Sequence, residues 1–224
     1  MIRNLATMTR VGLLEPLSSA VGTVLAHLAN VDRLRKSRIH PVAILAAMLT
    51  YNAGHGVRGH GTWSPVSQVV DALDGAFYTS FGNVPATGKR WLLALDVSGS
   101  MGSGDIAGVP GLTPRIASAA LALVTAAVEP QHQFVAFTSN GECSCKSTHT
   151  GYPSGITPLT ISPRQRLDDV CNSVSRLSMG GTDCALPMVW ALEKRVPVDV
   201  FVVLTDCETW AGNIHPIQAL REYR

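Results

Sequence analysis

One carboxylate and two hydroxyls follow a short apolar run near the middle of the chain, at Asp96, Ser98 and Ser100. The run over residues 91–95 predicts a buried strand, so these three side chains lie on the tight loop where the strand ends. Carboxylate and hydroxyl oxygens are hard ligands, which suit Mg²⁺ first and Mn²⁺ or Ca²⁺ as alternatives. The spacing therefore predicts one side of a divalent-cation site.

Two later segments are expected to complete this site. Thr182 lies in a Gly-Gly-Thr-Asp segment, and Asp206 follows a second strand-like run at residues 200–203. Loops at the carboxyl ends of neighbouring strands converge in an open α/β sheet, so these residues can meet. Having few direct carboxylates leaves Mg²⁺ with an exchangeable position. That position would accept an acidic group from a partner.

Three other interpretations compete with this one. The loop could simply cap a helix, with Ser98 or Ser100 as the N-cap. Residues 102–107 match the G-x-G-x-x-A fingerprint of dinucleotide-binding sites, in which a helix begins directly after the glycines. Pro110, Gly111 and Pro114 disfavour a helix there. We expect 102–113 to be a loop instead. A zinc site is the third interpretation, built from Cys143, Cys145, His149 and Cys171, but the first two are spaced more tightly than is usual for zinc.

Composition limits the class of protein. The chain is 46% hydrophobic and 15% charged, which predicts a folded core. No apolar run is long enough for a membrane span, and residues 1–14 lack a signal-peptide core. Five cysteines, all in the second half, favour free thiols and a cytoplasmic location. Residues 1–90 carry nine Lys/Arg against four Asp/Glu, whereas 91–224 carry nine against twelve.

The pattern of the chain changes after a Pro/Gly-rich linker at residues 83–90. Residues 1–82 read as helices near 21–34, 41–52 and 65–78, with His40 and Ser64 as N-caps. Such helical hairpins indicate a remnant of a helical-repeat array, and an independent three-helix domain is the alternative.

Residues 91–224 predict a doubly wound, mostly parallel α/β sheet. The expected strands are 91–96, 133–138 and 199–205, and the expected helices are 114–128, 164–177, 185–195 and 215–223. The chain stops soon after the third strand, so we expect a truncated sheet with an exposed edge beside 199–205.

Two basic segments in the first part are candidate RNA contacts. Arg33, Arg35, Lys36 and Arg38 form the densest run of cations, which suits phosphates or a solvated helix end equally. The glycine-rich loop at 54–61 carries His55, Arg58 and His60, which could bind phosphate or stack on a base. Its structural alternative is a turn in which glycine allows positive φ.

The order Asp-x-Ser-x-Ser, Thr, Asp resembles the metal-ion-dependent adhesion site (MIDAS) of von Willebrand factor A-type (vWA) domains. Further segments resemble the Ro ribonucleoprotein (Ro autoantigen) family over nearly the whole chain. These segments are residues 3–5, 14–16, 38–41, 51, 54–59, 85–90, 180–188, 199–206, 208–212, 215–216 and 219–224.

The resemblance implies a ring of HEAT-like helical repeats, the TROVE module, closed by an A-type domain. This chain would hold the last TROVE helices at 1–82 and an incomplete A-type domain at 91–224. Ro proteins bind Y RNAs and the 3′ ends of misfolded RNAs in RNA quality control, and bacterial members hand RNA to an exoribonuclease. The resemblance thus implies a non-catalytic RNA-binding protein, with neither DNA nor a membrane as partner.

Two other function classes stay open at this point. The chain could be a metal-dependent protein-interaction module with no RNA role, in which the cation binds an acidic side chain of a partner. A metal-assisted phosphoesterase is disfavoured, because the sequence shows neither a general base nor a second metal site.

Overall fold

The structure of the protein is a computed structural model that describes residues 1–56, 61–139, 155–177, 180–206, 209 and 211–224. It divides into two compact units. The first comprises Met1–Pro85 with Asp105–Leu112, and the second comprises Ala86–Gly104 with Thr113–Arg224. The domain limits expected from the sequence, at 82 and 90, stay a prediction.

The first unit is helical. Its helices are α1 (Leu5–Arg10), α2 (Ser19–Leu28), α3 (Val31–Ser37), α4 (Pro41–Ala53) and α5 (Ser67–Thr79). Their apolar faces share a core in which Leu28, Ile44, Leu45, Val69 and Leu73 are at most 1% exposed. Burial of these faces, rather than intrinsic propensity, holds such short helices in place.

The helix expected over 21–34 is two helices in the structure. The break comes at Asn30, whose backbone is extended and whose side chain accepts a hydrogen bond from the Arg33 N–H at 2.9 Å. Asparagine is a strong N-cap, so it starts a new helix here. Leu28 and Leu34 are buried on either side of the break, which explains why the apolar spacing runs on through it.

Helix α4 confirms the sequence prediction, because it begins at Pro41 and the His40 side chain accepts from the Val42 N–H at 3.2 Å. Helix α5 begins two residues later than predicted, and Ser64 is not its cap. The Val66 N–H instead donates to the Tyr51 hydroxyl at 3.1 Å, so a tertiary contact replaces the local cap.

The second unit alternates strands and helices. These are β1 (Trp91–Asp96), α6 (Pro114–Val128), β2 (His132–Phe137), β3 (Ile156–Leu159), α7 (Leu167–Ser175), α8 (Leu186–Glu193), β4 (Val200–Leu204) and α9 (Pro216–Tyr223). The three predicted strands are confirmed to within one residue at each end. The helix expected at 164–177 is shorter than predicted, because Arg166 is still extended.

The sheet has the order β3-β2-β1-β4. Strand β1 lies in the interior and pairs in parallel with both β2 and β4, which confirms the mostly parallel sheet. Strand β3 was not predicted and pairs antiparallel with β2, so the sheet is mixed. Its Pro158 cannot donate a ladder hydrogen bond, which a strand at the sheet's edge tolerates.

Helices cover both faces of the sheet. On one face, small buried residues of α6 such as Ala119, Ala120 and Ala122 let the helix lie close to the strands. On the other face, Leu186 of α8 belongs to one buried cluster with residues of β1, β2 and β3. This is the doubly wound arrangement, in which loops at the carboxyl ends of the parallel strands form a crevice.

Strand β4 forms the other edge of the sheet in the part of the chain that the structure describes. It pairs with β1 there, and all five of its residues are half-buried. The exposure expected for this edge, beside 199–205, stays a prediction.

The segment 105–112, expected as part of a loop, is a hydrogen-bonded turn. The Ile106 N–H donates to the Leu112 carbonyl at 2.8 Å, and the Gly111 N–H donates to the Asp105 carboxylate at 2.9 Å. Among the described helices, none combines the length and hydropathy needed to cross a bilayer.

Candidate functional site

The carboxyl ends of β1 and β4 bring two acidic residues to the same edge of the sheet. Leu95 is level with Leu204 across the strand pair, so Asp96 and Asp206 leave neighbouring strands side by side. The Ser98 N–H donates to Asp96 Oδ1 at 2.7 Å and turns the chain out of the strand. The short 3₁₀ turn Gly99–Gly102 follows and carries Ser100.

A continuous set of contacts joins all five residues predicted as metal ligands. The Thr182 hydroxyl lies 3.3 Å from Asp96 Oδ2, and the hydroxyls of Ser98 and Ser100 are 3.1 Å apart. The Ser100 hydroxyl in turn donates to Asp206 Oδ1 at 3.1 Å. The structure therefore gathers these five side chains into one oxygen-rich cluster, the candidate metal cluster, from three separate segments of the chain.

This cluster has a buried floor and an open rim. Asp96 and Thr182 are each 1% exposed, whereas Ser100 and Asp206 are exposed to solvent. A buried carboxylate is costly unless hydrogen bonds or a cation compensate its charge. The rim leaves one side of the cluster open to a further ligand.

Sequence analysis missed a second hydroxyl that contacts the Asp96 carboxylate. The Thr205 hydroxyl donates to Asp96 Oδ2 at 2.7 Å, closer than the Thr182 hydroxyl does. In the sequence, the only indication of this contact is that Thr205 lies between the end of β4 and Asp206. Because β4 pairs with β1, that position places Thr205 beside Asp96. Thr205 thus holds the Asp96 carboxylate in one orientation.

The loop that carries Thr182 is held from two sides. The Thr138 hydroxyl, just beyond β2, donates to the Gly181 carbonyl at 3.1 Å. On the opposite side the Ala211 N–H donates to the Thr182 carbonyl at 3.1 Å. Gly180 must be glycine here, because a Cβ would overlap the Thr138 hydroxyl.

Asp183 supports this loop through its backbone contacts. Its carboxylate is 4% exposed and accepts from the Ala185 N–H at 3.0 Å. Burial raises the pKa of Asp183, against the lowering effect of its backbone hydrogen bonds. Gly212, at φ +91°, leaves the space that this carboxylate occupies, since a Cβ would overlap it.

Arg115 of α6 supports the serine turn. Its guanidinium donates to the Ser98 carbonyl at 3.5 Å and fills the space where a Cβ of Gly102 would lie. Its Nε is buried and has no hydrogen-bond partner within the described residues. The turn therefore lies against a cation as well as facing the acidic floor.

The donor set fits a hard divalent cation. Two carboxylates and three hydroxyls are available, all of them oxygen ligands, and Mg²⁺ is commonly bound through one or two carboxylates. The described residues contain no group of three or more His, Cys, Asp or Glu side chains that could hold a metal. A set of two carboxylates and three hydroxyls suits an ion that keeps several bound waters, such as Mg²⁺, better than an ion that is coordinated by protein ligands alone.

Comparisons with known proteins decide the family. A model described as the Ro60 vWA domain matches residues 90–224, and a model of the TROVE domain matches residues 1–52. The chain belongs to the Ro60 family. The resemblance drawn from the sequence is thereby confirmed.

Ro60-family relatives match over the full length of this chain. It is 48% identical over 224 residues to the protein named RNA-binding protein RO60 of Deinococcus radiodurans, and 40% identical to that of Caenorhabditis elegans. The crystal structure of the D. radiodurans RO (RSR) protein matches 99% of the chain with a TM-score of 0.88 and 47% identity. The chain spans 39% and 32% of the two relatives and 42% of the crystallised chain.

Among the described residues, those predicted to contact RNA lie in two separate places in the first compact unit. Arg33, Arg35 and Lys36 are exposed on α3, and Arg38 is exposed at its left-handed C-cap, where φ is +50°. His55 is exposed at the far end of α4, where it pairs with Thr62 in a β-bridge. Helix α4 separates the two places by roughly 20 Å, from its 13 residues.

Some predicted residues lie outside the described part of the chain. They are Arg58 and His60 of the glycine-rich loop, and Cys143, Cys145 and His149 of the zinc alternative. Cys171 is half-buried in α7, where burial raises its pKa to about 11. The zinc alternative therefore stays a prediction.

The competing dinucleotide fingerprint does not match the structure. Residues 102–107 open no α-helix, because only a short 3₁₀ turn at Ile106–Gly108 begins there and α6 begins at Pro114. A phosphate-binding fingerprint needs the helix N-terminus directly after the glycines. The prolines that argued against a helix from the sequence thus gave the correct result.

Proposed function

We propose that this chain forms part of a non-catalytic, cytoplasmic RNA-binding protein of the Ro type. Its RNA ligands are small non-coding RNAs of the Y type and the 3′ ends of misfolded RNAs, and its role is RNA quality control. The Ro60 family membership and the names of the two relatives, both RNA-binding proteins, support this proposal.

The exposed cations of α3 support RNA binding from the structure. Four cations lie within six residues, and an acidic residue, Asp32, precedes them. Only Arg33 has a side-chain partner among the described residues, the ring of His27. Solvated cations with no fixed partner suit phosphates, whose binding depends on charge and salt rather than on sequence.

We further propose that the A-type unit binds a divalent cation, Mg²⁺ in the first place, through Asp96, Ser98, Ser100, Thr182 and Asp206. The single observation that carries this proposal is the convergence of five oxygen-bearing side chains from three segments. When bound, the cation would supply a Lewis-acidic position for an acidic side chain of a partner protein, an exoribonuclease among the candidates.

The open rim favours a second candidate function. Ser100 and Asp206 are exposed, so a partner's carboxylate can reach the cluster from solvent. In this alternative the chain is a metal-dependent protein-interaction module with no RNA role of its own.

A binding experiment on the whole 224-residue chain separates the two functions. Fluorescence anisotropy of a labelled RNA hairpin with a single-stranded 3′ tail is measured from 50 to 300 mM salt, with and without EDTA. We expect steeply salt-dependent binding that EDTA leaves unchanged. A folded chain that fails to bind RNA at low salt would leave the protein-interaction module as the function.

Luminescence of Tb³⁺ and its displacement by Mg²⁺ test the cation site. We expect saturable binding of one ion per chain, and competition by Mg²⁺. A matched chain in which Asp169, an exposed acid of α7, is changed to Asn should bind equally well. Equal luminescence from Asp96→Asn would contradict the assignment of the site.

A further inference from the structure

The edge of the sheet opposite the metal cluster holds two adjoining hollows. The first, of about 220 Å³, is lined by Trp91, Gln131, His132 and Gln133 among others, where β1 and β2 begin. The second, of about 270 Å³, shares His132 and Gln133 and includes Trp190 of α8. Both hollows lie within the second compact unit.

The first hollow is lined by the indole of Trp91 and the second by the indole of Trp190. Both are lined by the imidazole of His132 and the amide of Gln133. Aromatic faces stack on unpaired bases, and a glutamine amide both donates and accepts along a base edge. Hollows of this size hold one base each rather than a large ligand. Two indoles on either side of shared polar side chains are typical of a binding site for a short stretch of single-stranded nucleic acid.

Local hydrogen bonds fix the orientation of two of these side chains, Trp91 and His132. The Trp91 Nε1–H donates to the Thr87 hydroxyl at 2.8 Å. His132 Nδ1 donates to the Glu129 carbonyl at 2.6 Å, so in the neutral ring Nε2 is left as an acceptor. The Trp91 and His132 side chains are therefore ordered before any ligand binds, which lowers the entropy cost of binding.

The segment before Trp91 is itself held in place by Glu129. The Glu129 carboxylate accepts from the N–H groups of Thr87 and Gly88 at 2.8 and 3.1 Å. Burial alone would raise the pKa of Glu129, but these hydrogen bonds outweigh it and the pKa lies below its usual range. The stretch expected to be a free linker is thus anchored where it joins β1.

Four cations lie at this end of the second unit, whose Lys/Arg and Asp/Glu are equal in number. Lys89 and Arg90 precede β1, and Lys194 and Arg195 precede Val196, which lines the first hollow. Arg90 is paired with Asp199. Across the described ranges, Lys194 and Arg195 have no ion-pair partner, so both are available for phosphates.

We propose that these two hollows, the strand-start cleft (Arg90, Trp91, Gln131, His132, Gln133 and Trp190), bind single-stranded RNA. One base stacks on each tryptophan, and the phosphates face Lys194 and Arg195. This inference rests on the proposed RNA-binding function and adds a contact within the A-type unit. The cleft lies a strand length, roughly 17 Å, from the metal cluster, so the two sites bind independently.

Crosslinking of the unmodified chain tests this directly. A short oligouridylate that carries 4-thiouridine is irradiated with the 224-residue chain, and crosslinked tryptic peptides are found by mass spectrometry. We expect crosslinks on peptides 91–115 and 177–194, which contain Trp91 and Trp190, and we expect EDTA to leave them unchanged. Crosslinks confined to residues 1–82 would overturn the proposal while leaving RNA binding intact.

Substitutions give the quantitative test with the same oligouridylate. Trp91→Leu and Trp190→Leu should each weaken binding roughly tenfold, whereas Trp91→Phe retains the stacking face and most of the affinity. The double variant Lys194→Glu with Arg195→Glu should weaken binding further. The control is the double variant Arg164→Glu with Arg176→Glu, which reverses two exposed cations elsewhere in the unit and should change the affinity only slightly.

The outcomes keep the two proposals apart. If the unmodified chain binds no RNA, the proposed function fails and the cleft fails with it. If it binds and the three variants expected to weaken binding all bind as the unmodified chain does, the cleft fails and the function stands. If a protein competes for the cleft but RNA does not crosslink there, the site belongs to a protein partner and the inference is wrong.

Discussion

The metal cluster and the cations of α3 hold polar side chains in opposite ways. In the cluster, Asp96 accepts from Ser98, Thr182 and Thr205, so each oxygen has a fixed neighbour. On α3, Arg35, Lys36 and Arg38 are exposed, and their charge is what matters. Cation binding at the cluster is therefore expected to depend on the positions of its oxygen atoms, whereas RNA binding at α3 is expected to depend on net charge and salt concentration.

The largest expected effect is the loss of cation binding in Asp96→Asn. The substitution keeps the size of the side chain but removes the charge and one oxygen from the buried floor. Because loss of an orienting neighbour alone costs about 10- to 100-fold in metal affinity, loss of a direct ligand should cost more than about a hundredfold. Tb³⁺ titration measures this, with circular dichroism to show that the fold is kept.

The same variant tests the contrast with α3. RNA binding by Asp96→Asn should equal that of the unmodified chain, since no phosphate contact is removed. Parallel loss of RNA and cation binding in a folded sample would show that the two sites are coupled, and would contradict the expectation that they bind independently.

Neutralising the α3 cations should give the next largest effect. With Arg33, Arg35, Lys36 and Arg38 all changed to Gln, the slope of log affinity against log salt should fall by about 3 if each cation contacts one phosphate of a single strand. Salt titrations of RNA anisotropy measure the slope. The cation affinity of the A-type unit should stay as it is, and an unchanged slope would remove α3 from the RNA-binding surface.

Thr205→Val should have a smaller effect, confined to the metal cluster. The change removes the hydroxyl that donates to Asp96 Oδ2 at 2.7 Å and keeps the shape of the side chain. We expect cation affinity to fall about tenfold and unfolding free energy to fall by about 1 kcal/mol. Tb³⁺ titration and urea unfolding measure the two.

A matched variant separates orientation from general stability. Thr125→Val removes a hydroxyl that donates to the Leu121 carbonyl within α6. It should alter stability without altering cation affinity. If both threonine variants lose cation affinity equally, Thr205 has no special role in orienting Asp96.

The sequence allowed the cluster to be predicted because strand ends are easy to find. Asp96 and Asp206 each follow an apolar run, and parallel strands bring such ends together. Thr205 was missed because its contact with Asp96 depends on the register in which β4 pairs with β1, and a list of polar residues does not contain that information. Arg115 was missed for the same reason, since it reaches the serine turn from a helix.

Local chemistry also limits prediction of the fold. Strand β3 was missed because four residues that include Pro158 carry too little alternation to be distinguished from a loop. The break at Asn30 was missed because the apolar spacing continues through it. In both cases a tertiary partner, β2 or the shared helical core, decides a structure that the local sequence leaves undetermined.

The smallest expected effect concerns the ion pair between Arg90 and Asp199, where β4 begins. Asp199 accepts from both the backbone and the side chain of Arg90, and the hydrogen bond from the guanidinium lowers its pKa to about 2. A carboxyl whose folded pKa is depressed stabilises the fold above its unfolded pKa of 3.8, and this contribution is lost as the pH falls toward 2. Both side chains are well exposed, so the contribution is small and salt weakens it.

Asp199→Asn should therefore lower the urea midpoint slightly at pH 6 and by less as the pH falls toward 2, with Asp169→Asn as the exposed control. If the difference in midpoint between Asp199→Asn and the control grows in acid, the protonated carboxyl stabilises the fold more than the ionised one, and the direction of the pKa shift is wrong. A difference that persists in 1 M salt would mean that backbone hydrogen bonding to Arg90 N–H, rather than the pairing of charges, holds the start of β4. The pair would then resemble the fixed contacts of the metal cluster more than the solvated cations of α3.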